Sequence, residues 1–155
     1  MEFEYLADKK EMIPSLANWY FEEWGNQENG RTIDMEIEGL QHYLNKDKLP
    51  LILLAIDKGE LLGVAQLKYH EMSIYPDKEN WLGGVYVSKN YRGKGIARQI
   101  IQKLIVIAGN LNIKKLYLQT ENLDGGLYQR MGWKPIEQVN YHNIDVLVME
   151  RDIKV

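Results

Sequence analysis

The sequence predicts an α/β fold: a mixed, mostly antiparallel sheet with helices on both faces and one parallel β-α-β crossover. Three observations carry that expectation. Apolar segments at residues 51–56 and 61–69 flank Asp57-Lys-Gly-Glu60, a hairpin signal that pairs them antiparallel. A further apolar segment, residues 81–87, runs through a loop with glycines at 93 and 95 into a stretch with helical periodicity. Residues 115–120 then alternate apolar and polar as a strand does, and strand, helix, strand in that order makes a right-handed parallel crossover.

The remaining elements follow in order. Residues 2–7 read as a first strand. After Pro14 a helix presents Ile13, Leu16, Ala17, Tyr20, Phe21 and Trp24 on one face and stops at Gly25. A second helix runs from Thr32, an N-cap residue, to Leu44. Residues 71–80 form a polar loop containing Pro76. The helix after the glycine loop carries Ala97, Ile100, Ile101, Leu104, Ile105 and Ala108 at the spacing of one buried face. A short helix at about residues 125–131 ends at Gly132, and strands at 133–140 and 144–150 finish the chain. No repeat or linker divides it, and 155 residues read as a single domain over 1–155.

Composition narrows the function. A net charge of -3 gives no global attraction to nucleic acid or to an anionic membrane, so any anion site must be local. The chain has no cysteine, which excludes thiol nucleophiles, thiolate metal sites and disulfides. His42, His70 and His142 lack metal-ligand spacing, so no metal is expected. Met1-Glu-Phe-Glu-Tyr lacks the basic start and apolar core of a signal peptide, and no apolar run approaches the roughly 18 residues that span a bilayer. A soluble, cytoplasmic protein is expected.

A strand feeding a glycine-containing loop at a helix N-terminus leaves backbone N–H groups unpaired where the helix dipole is positive, which suits a phosphate. A Walker A loop fails at two points: Ser88 holds the first glycine position and Gly95 follows Lys94. A dinucleotide loop matches at Gly93 and Gly95 but has Arg98 where a small residue is needed. The two glycines also fit a simple turn.

Arg92-Gly-Lys-Gly-Ile-Ala97 fits R-x-x-G-x-A, and Leu127-Tyr-Gln-Arg-Met-Gly-Trp133 fits L-Y-x-x-x-G-[FW]. With the strand before the loop, the amphipathic helix after it, the strand at 116–120 and Asn122 at its end, this ordered set resembles the GNAT acyltransferase superfamily. The likeness covers about residues 50–150. It implies a GNAT-like fold and an acetyl-CoA-dependent N-acetyltransferase that transfers acetyl from acetyl-CoA to a primary amine by direct attack in a ternary complex. A non-catalytic coenzyme A-binding or regulatory domain on the same fold is the alternative.

The resemblance assigns the pyrophosphate of coenzyme A to the N–H groups of residues 92–97, that is Arg92, Gly93, Lys94, Gly95, Ile96 and Ala97, with Arg92, Lys94 and Arg98 supplying charge. Gly83-Gly84 within an apolar strand suggests a bulge, or room for a neighbouring side chain. In the family a bulge here splays the strand and admits the pantetheine arm, so the backbone of Val85, Tyr86 and Val87 is the implied contact, and Asn122 an amide partner. Val87-Ser88-Lys89 departs from the family's usual V-x-P. Tyr128 stands where the family places its general acid, and the N–H of Val85 or its neighbour is the implied oxyanion donor.

No carboxylate lies on the strand at 81–87, so the base is open among Glu71, Glu121, Asp124, His142 and a water chain. Glu22, Glu23, Glu28, Asp34, Glu36 and Glu38, against Arg31 alone, would draw a cationic amine-bearing acceptor, or else form the solvated faces of two helices. Trp19 lies off the first helix's apolar face, which suits loose packing or a homodimer contact better than a substrate cage.

Overall fold

The computed structural model describes residues 1–154. Seven strands, β1 (Glu2–Tyr5), β2 (Leu51–Asp57), β3 (Glu60–Tyr69), β4 (Asn80–Val87), β5 (Lys115–Thr120), β6 (Lys134–Tyr141) and β7 (Ile144–Asp152), form a sheet in the order β1-β2-β3-β4-β5-β7-β6. Its pairs are antiparallel except β4 with β5, which the helix α3 (Ile96–Asn110) connects. The helices α1 (Ile13–Glu23) and α2 (Ile33–Leu40) precede β2, and the short α4 (Gly126–Arg130) follows β5.

Strand β2 is apolar along its length because both its faces are covered. Leu51, Leu53 and Ala55 pack with Ile100, Ile101, Leu104 and Ala108 of α3. Ile52, Leu54 and Ile56 pack on the opposite face with Leu16, Ala17 and Tyr20 of α1. The periodicity read in α1 and α3 therefore marks the two sides of the sheet.

Three of the differences from the sequence expectation bear on packing. Strand β1 ends at Tyr5 because the fully buried Leu6 opens a 3-10 turn over Leu6–Asp8. Helix α2 begins after Thr32, whose Oγ1 accepts from the Met35 N–H at 3.2 Å, but stops at Leu40 rather than Leu44. Leu44 forms a β-bridge to Leu51, so the chain must leave the helix first. Trp24 lies beyond the end of α1 at φ -129° and is 42% exposed, off the apolar face.

No helix among the described residues is long and apolar enough to cross a membrane, and no group of three or more metal-ligating His, Cys, Asp or Glu side chains occurs among them. Helix α3 lies close on β3 at Gly63, where a Cβ would stand 2.8 Å from Ile100 Cδ1 and 3.1 Å from Ile96 Cγ2. Gly63→Val should overpack this contact and cost about 1–3 kcal/mol, read as a lower urea midpoint. An unchanged midpoint would contradict so close an approach.

Candidate active site

The site begins at an irregularity in β4. Val64 pairs with Tyr86 and Gln66 with Gly83, so Gly84 and Val85 oppose the single residue Ala65. Two residues facing one is a β-bulge. Gly84 has φ +57°, and a Cβ there would sit 2.6 Å from the Gln66 side chain and 2.8 Å from the Tyr20 phenol oxygen. That phenol donates to the Gly84 carbonyl at 2.7 Å. Burial is the main cause that pushes the Tyr20 phenol above its ordinary pKa, so it remains a donor. Gly83 makes room of a different kind: a Cβ there would be 2.8 Å from Lys68 Cε. Both readings of the glycine pair thus hold, one at each position.

Beyond the bulge β4 and β5 part. Their parallel register is confined to Trp81↔Tyr117, while β5 continues beside β7 as far as Thr120. A cleft of about 600 Å³ lies beside this end of β4. Val85, Tyr86 and Val87 form one wall, and Leu127 and Arg130 of α4 another. The start of α3 lies at its end, through Gly95, Ile96, Ala97 and Arg98.

That start is an open helix terminus. Gly95 occupies the N-cap in the left-handed region at φ +78°, no side chain caps it, and no acidic residue lies in the first turn. Nothing comes within 4 Å of a Cβ at Gly93 or Gly95, so positive φ rather than packing requires glycine there. Arg92 Nε donates to the Val87 carbonyl at 2.9 Å, and its guanidinium lies 5.2 Å from the centroid of the Tyr86 ring. Lys94 Nζ lies 5.3 Å from the Tyr91 ring centroid, and the Tyr91 hydroxyl donates to Glu60 at 2.7 Å.

Tyr128 stands on α4, half-buried, edge-on to Trp133 with ring centroids 6.3 Å apart. Burial, then the negative charge of Glu71, pushes its phenol pKa up to about 12, so it carries its proton at neutral pH. Asn122 is exposed beyond β5, with its Nδ2 3.1 Å from a Cβ position at Gly126. Of the eleven binding residues read from the sequence, Lys94 and Asn122 do not line the cleft, and the other nine do. Sequence reasoning missed Glu23, Trp24, Tyr91, Leu127 and Arg130 in its lining. Arg130 was legible in principle, three residues after Leu127 on one short helix and so on the same face.

The candidate bases separate clearly. Asp124 Oδ1 accepts from the Gly126 N–H at 3.0 Å and serves its own turn. Glu121 is exposed, and His142 packs on Tyr141 in the β6–β7 turn. Glu71 pairs with Lys68 at 2.7 Å beside Gly83. The acidic residues of α1 and α2 lie on solvated surfaces, except that Glu36 is half-buried and bound by Arg31 at 2.9 Å.

The sequence matches the model of the acetyltransferase (GNAT) family over residues 13–133. The chain belongs to the GNAT acetyltransferase family. It is an acyl-CoA-dependent N-acetyltransferase, with acetyl-CoA as the donor that this family uses. No protein of curated function matches the sequence. Solved structures share the GNAT fold across the chain. An aminoglycoside 6'-N-acetyltransferase complexed with coenzyme A is 14% identical at a TM-score of 0.78, covering 100% of this chain and 98% of that one. A ribosomal-protein-alanine N-acetyltransferase from Brucella melitensis is 19% identical at 0.78, covering 99% and 100%. An N-acetyltransferase from Staphylococcus aureus Mu50 is 22% identical at 0.76, with the same coverage.

In this GNAT acetyltransferase, Gly84→Ala should place a Cβ against Gln66 in a left-handed conformation worth about 1–2 kcal/mol of strain. The expected result is a lower melting temperature in calorimetry. A variant as stable as the parent would show that the bulge is not held as described.

Proposed function

We propose that residues 1–155 act as one acetyltransferase domain whose cleft takes coenzyme A along β4 and the start of α3, and that acetyl passes to a primary amine of a small molecule or peptide by direct attack in a ternary complex. The observation that carries this reading is the parting of β4 from β5 at the Gly84 bulge, next to an uncapped helix terminus. Pyrophosphate sits on the N–H groups of residues 92–97, and Arg92, Lys94 and Arg98 balance its charge. The pantetheine amides pair with the backbone of Val85, Tyr86 and Val87 as a neighbouring strand would, and Asn122 meets the arm from the β5 side.

Acyl transfer needs a neutral amine, a stabilised oxyanion and a protonated leaving group. The Val85 N–H, within the bulge, donates to the thioester carbonyl oxygen. Tyr128 donates its proton to the departing sulfur. Its raised pKa supports that role, because the proton is present throughout the neutral range. The acidic surplus on α1 and α2 supports a cationic acceptor.

Calorimetric titration should show heat with coenzyme A and none with ATP or NAD. Absence of heat and of any thermal shift with coenzyme A would end this reading. Tyr128→Phe should lower turnover by about 10²–10⁴-fold while leaving coenzyme A affinity within about twofold. Undiminished turnover would remove Tyr128 from the mechanism. Turnover of spermidine should fall as salt is raised, because screening weakens the field of the acidic surface.

A further inference from the structure

Strand β4 runs past the reacting centre without a carboxylate or an imidazole, so the proton shed by the acceptor has no destination on that strand. Across from it, Glu71 follows the end of β3 and folds back over Gly83. A Cβ at Gly83 would stand 3.1 and 3.3 Å from the two carboxylate oxygens. Oε1 receives the Lys68 ammonium at 2.7 Å; among the described residues Oε2 has neither a hydrogen bond nor an ion pair. The Glu71 side chain keeps 15% of its surface and the Lys68 side chain 21%, so the pair is neither solvated nor sealed.

The pair's place in the fold is definite. Lys68 lies two residues after Gln66 on β3 and shares its sheet face, the one covered by α1. Gln66 packs over Gly84, so the Lys68–Glu71 pair is next to the bulge on the side away from α3. Tyr43, from the turn after α2, faces both members: burial raises its pKa first, Lys68 opposes and Glu71 adds. Tyr128 senses Glu71 from α4. The carboxylate thus has the Lys68 ammonium as its ion-pair partner, and its charge reaches the Tyr43 and Tyr128 phenols.

We propose that Glu71 receives the acceptor amine: Oε2 accepts a hydrogen bond from its primary ammonium and takes the proton it sheds, while Lys68 on Oε1 is a positioning residue that holds the carboxylate across Gly83. This rests on the acetyl-CoA reading of the cleft. The protons balance as follows. One ammonium proton passes to Glu71, leaving a neutral amine whose lone pair forms the C–N bond at the thioester carbonyl carbon. The C–S bond breaks with its electron pair on sulfur, which takes the Tyr128 proton. The second proton on nitrogen restores the phenol, and Glu71 releases its proton to water. Lys68 also places a positive charge beside the incoming ammonium, which favours the neutral amine. The ligand class that fits is a primary ammonium with no carboxylate next to it, since a second anion would face Glu71.

The test uses the full chain and thiol release from acetyl-CoA, free of protein background because the chain has no cysteine. The probes are butylamine, benzylamine, spermidine and kanamycin. The unaltered protein should acetylate at least one. Glu71→Gln should lower kcat/KM for it by about 10²–10⁴-fold, with coenzyme A affinity within about twofold. Glu71→Gln leaves the Lys68 ammonium unpaired, so a Lys68→Met/Glu71→Gln double variant guards against misfolding and should be as inactive. Lys68→Arg should recover most of the activity that Lys68→Met loses. Either neutral variant, folded and within about threefold of the parent, would overturn the assignment. So would a parent that binds coenzyme A yet acetylates none of the four amines. Failure to bind coenzyme A would instead overturn the donor reading.

Discussion

The hydrogen bond from the Tyr20 phenol to the Gly84 carbonyl ties the core on one sheet face to the shape of the cleft beside β4, in the middle of the sheet. Such a bond contributes about 0.5–1.5 kcal/mol net, and leaving a buried carbonyl without it costs more. Its effect on geometry exceeds that figure. It fixes the Gly84 carbonyl toward α1, away from β5, and with φ at +57° the strand cannot continue regular pairing. Gln66 fills the space that a side chain at 84 would claim. The parting of β4 and β5, and with it the cleft, follows from these contacts.

A second constraint is electrostatic. The protein is acidic overall, yet Arg92, Arg98 and Arg130 line one cleft and Lys94 stands at its loop. Arg98 in the first turn of α3 opposes the helix dipole, an arrangement that costs about 0.3–1 kcal/mol at an exposed terminus. A helix optimised for stability would carry an acidic residue or a Ser, Thr, Asp or Asn cap there. The chain instead has left-handed Gly95 and a cation, which favour an anion at the terminus. Aromatic rings hold two of the cations in place: Arg92 lies over Tyr86, and Lys94 over Tyr91, which Glu60 anchors.

Periodicity made most of this fold legible. The apolar spacings of α1 and α3 predicted most of the residues they bury, Trp24 excepted, and the hairpin at 57–60 and the β4–α3–β5 crossover set the pairing. The ends of elements were harder, because tertiary contacts decide them: Leu44 leaves α2 to bridge Leu51, and Leu6 turns inward to the core. Glycine positions signalled the loop and the bulge, since only those residues tolerate the backbone required. Contacts between distant segments carried no such signal. Nothing in the local sequence announces that Trp24 and Tyr91 line the cleft with Arg130, or that the charge of Glu71 reaches Tyr128. Those facts arise from how α1, α4 and the loop after β3 converge on β4.

The environment of Tyr128 bears on the proposed transfer through one further consequence. A phenol raised to about 12 is a weak acid beside an ordinary thiol, whose pKa is about 8.5. Taken alone, that difference opposes protonation of the departing sulfur. But desolvation acts on every anion formed in the same place, and it raises a thiol as it raises a phenol. Trp133, 2% exposed, packs edge-on against the Tyr128 ring. The two groups therefore move together in acidity, and the gap between them stays near its value in water rather than widening to that between about 12 and about 8.5.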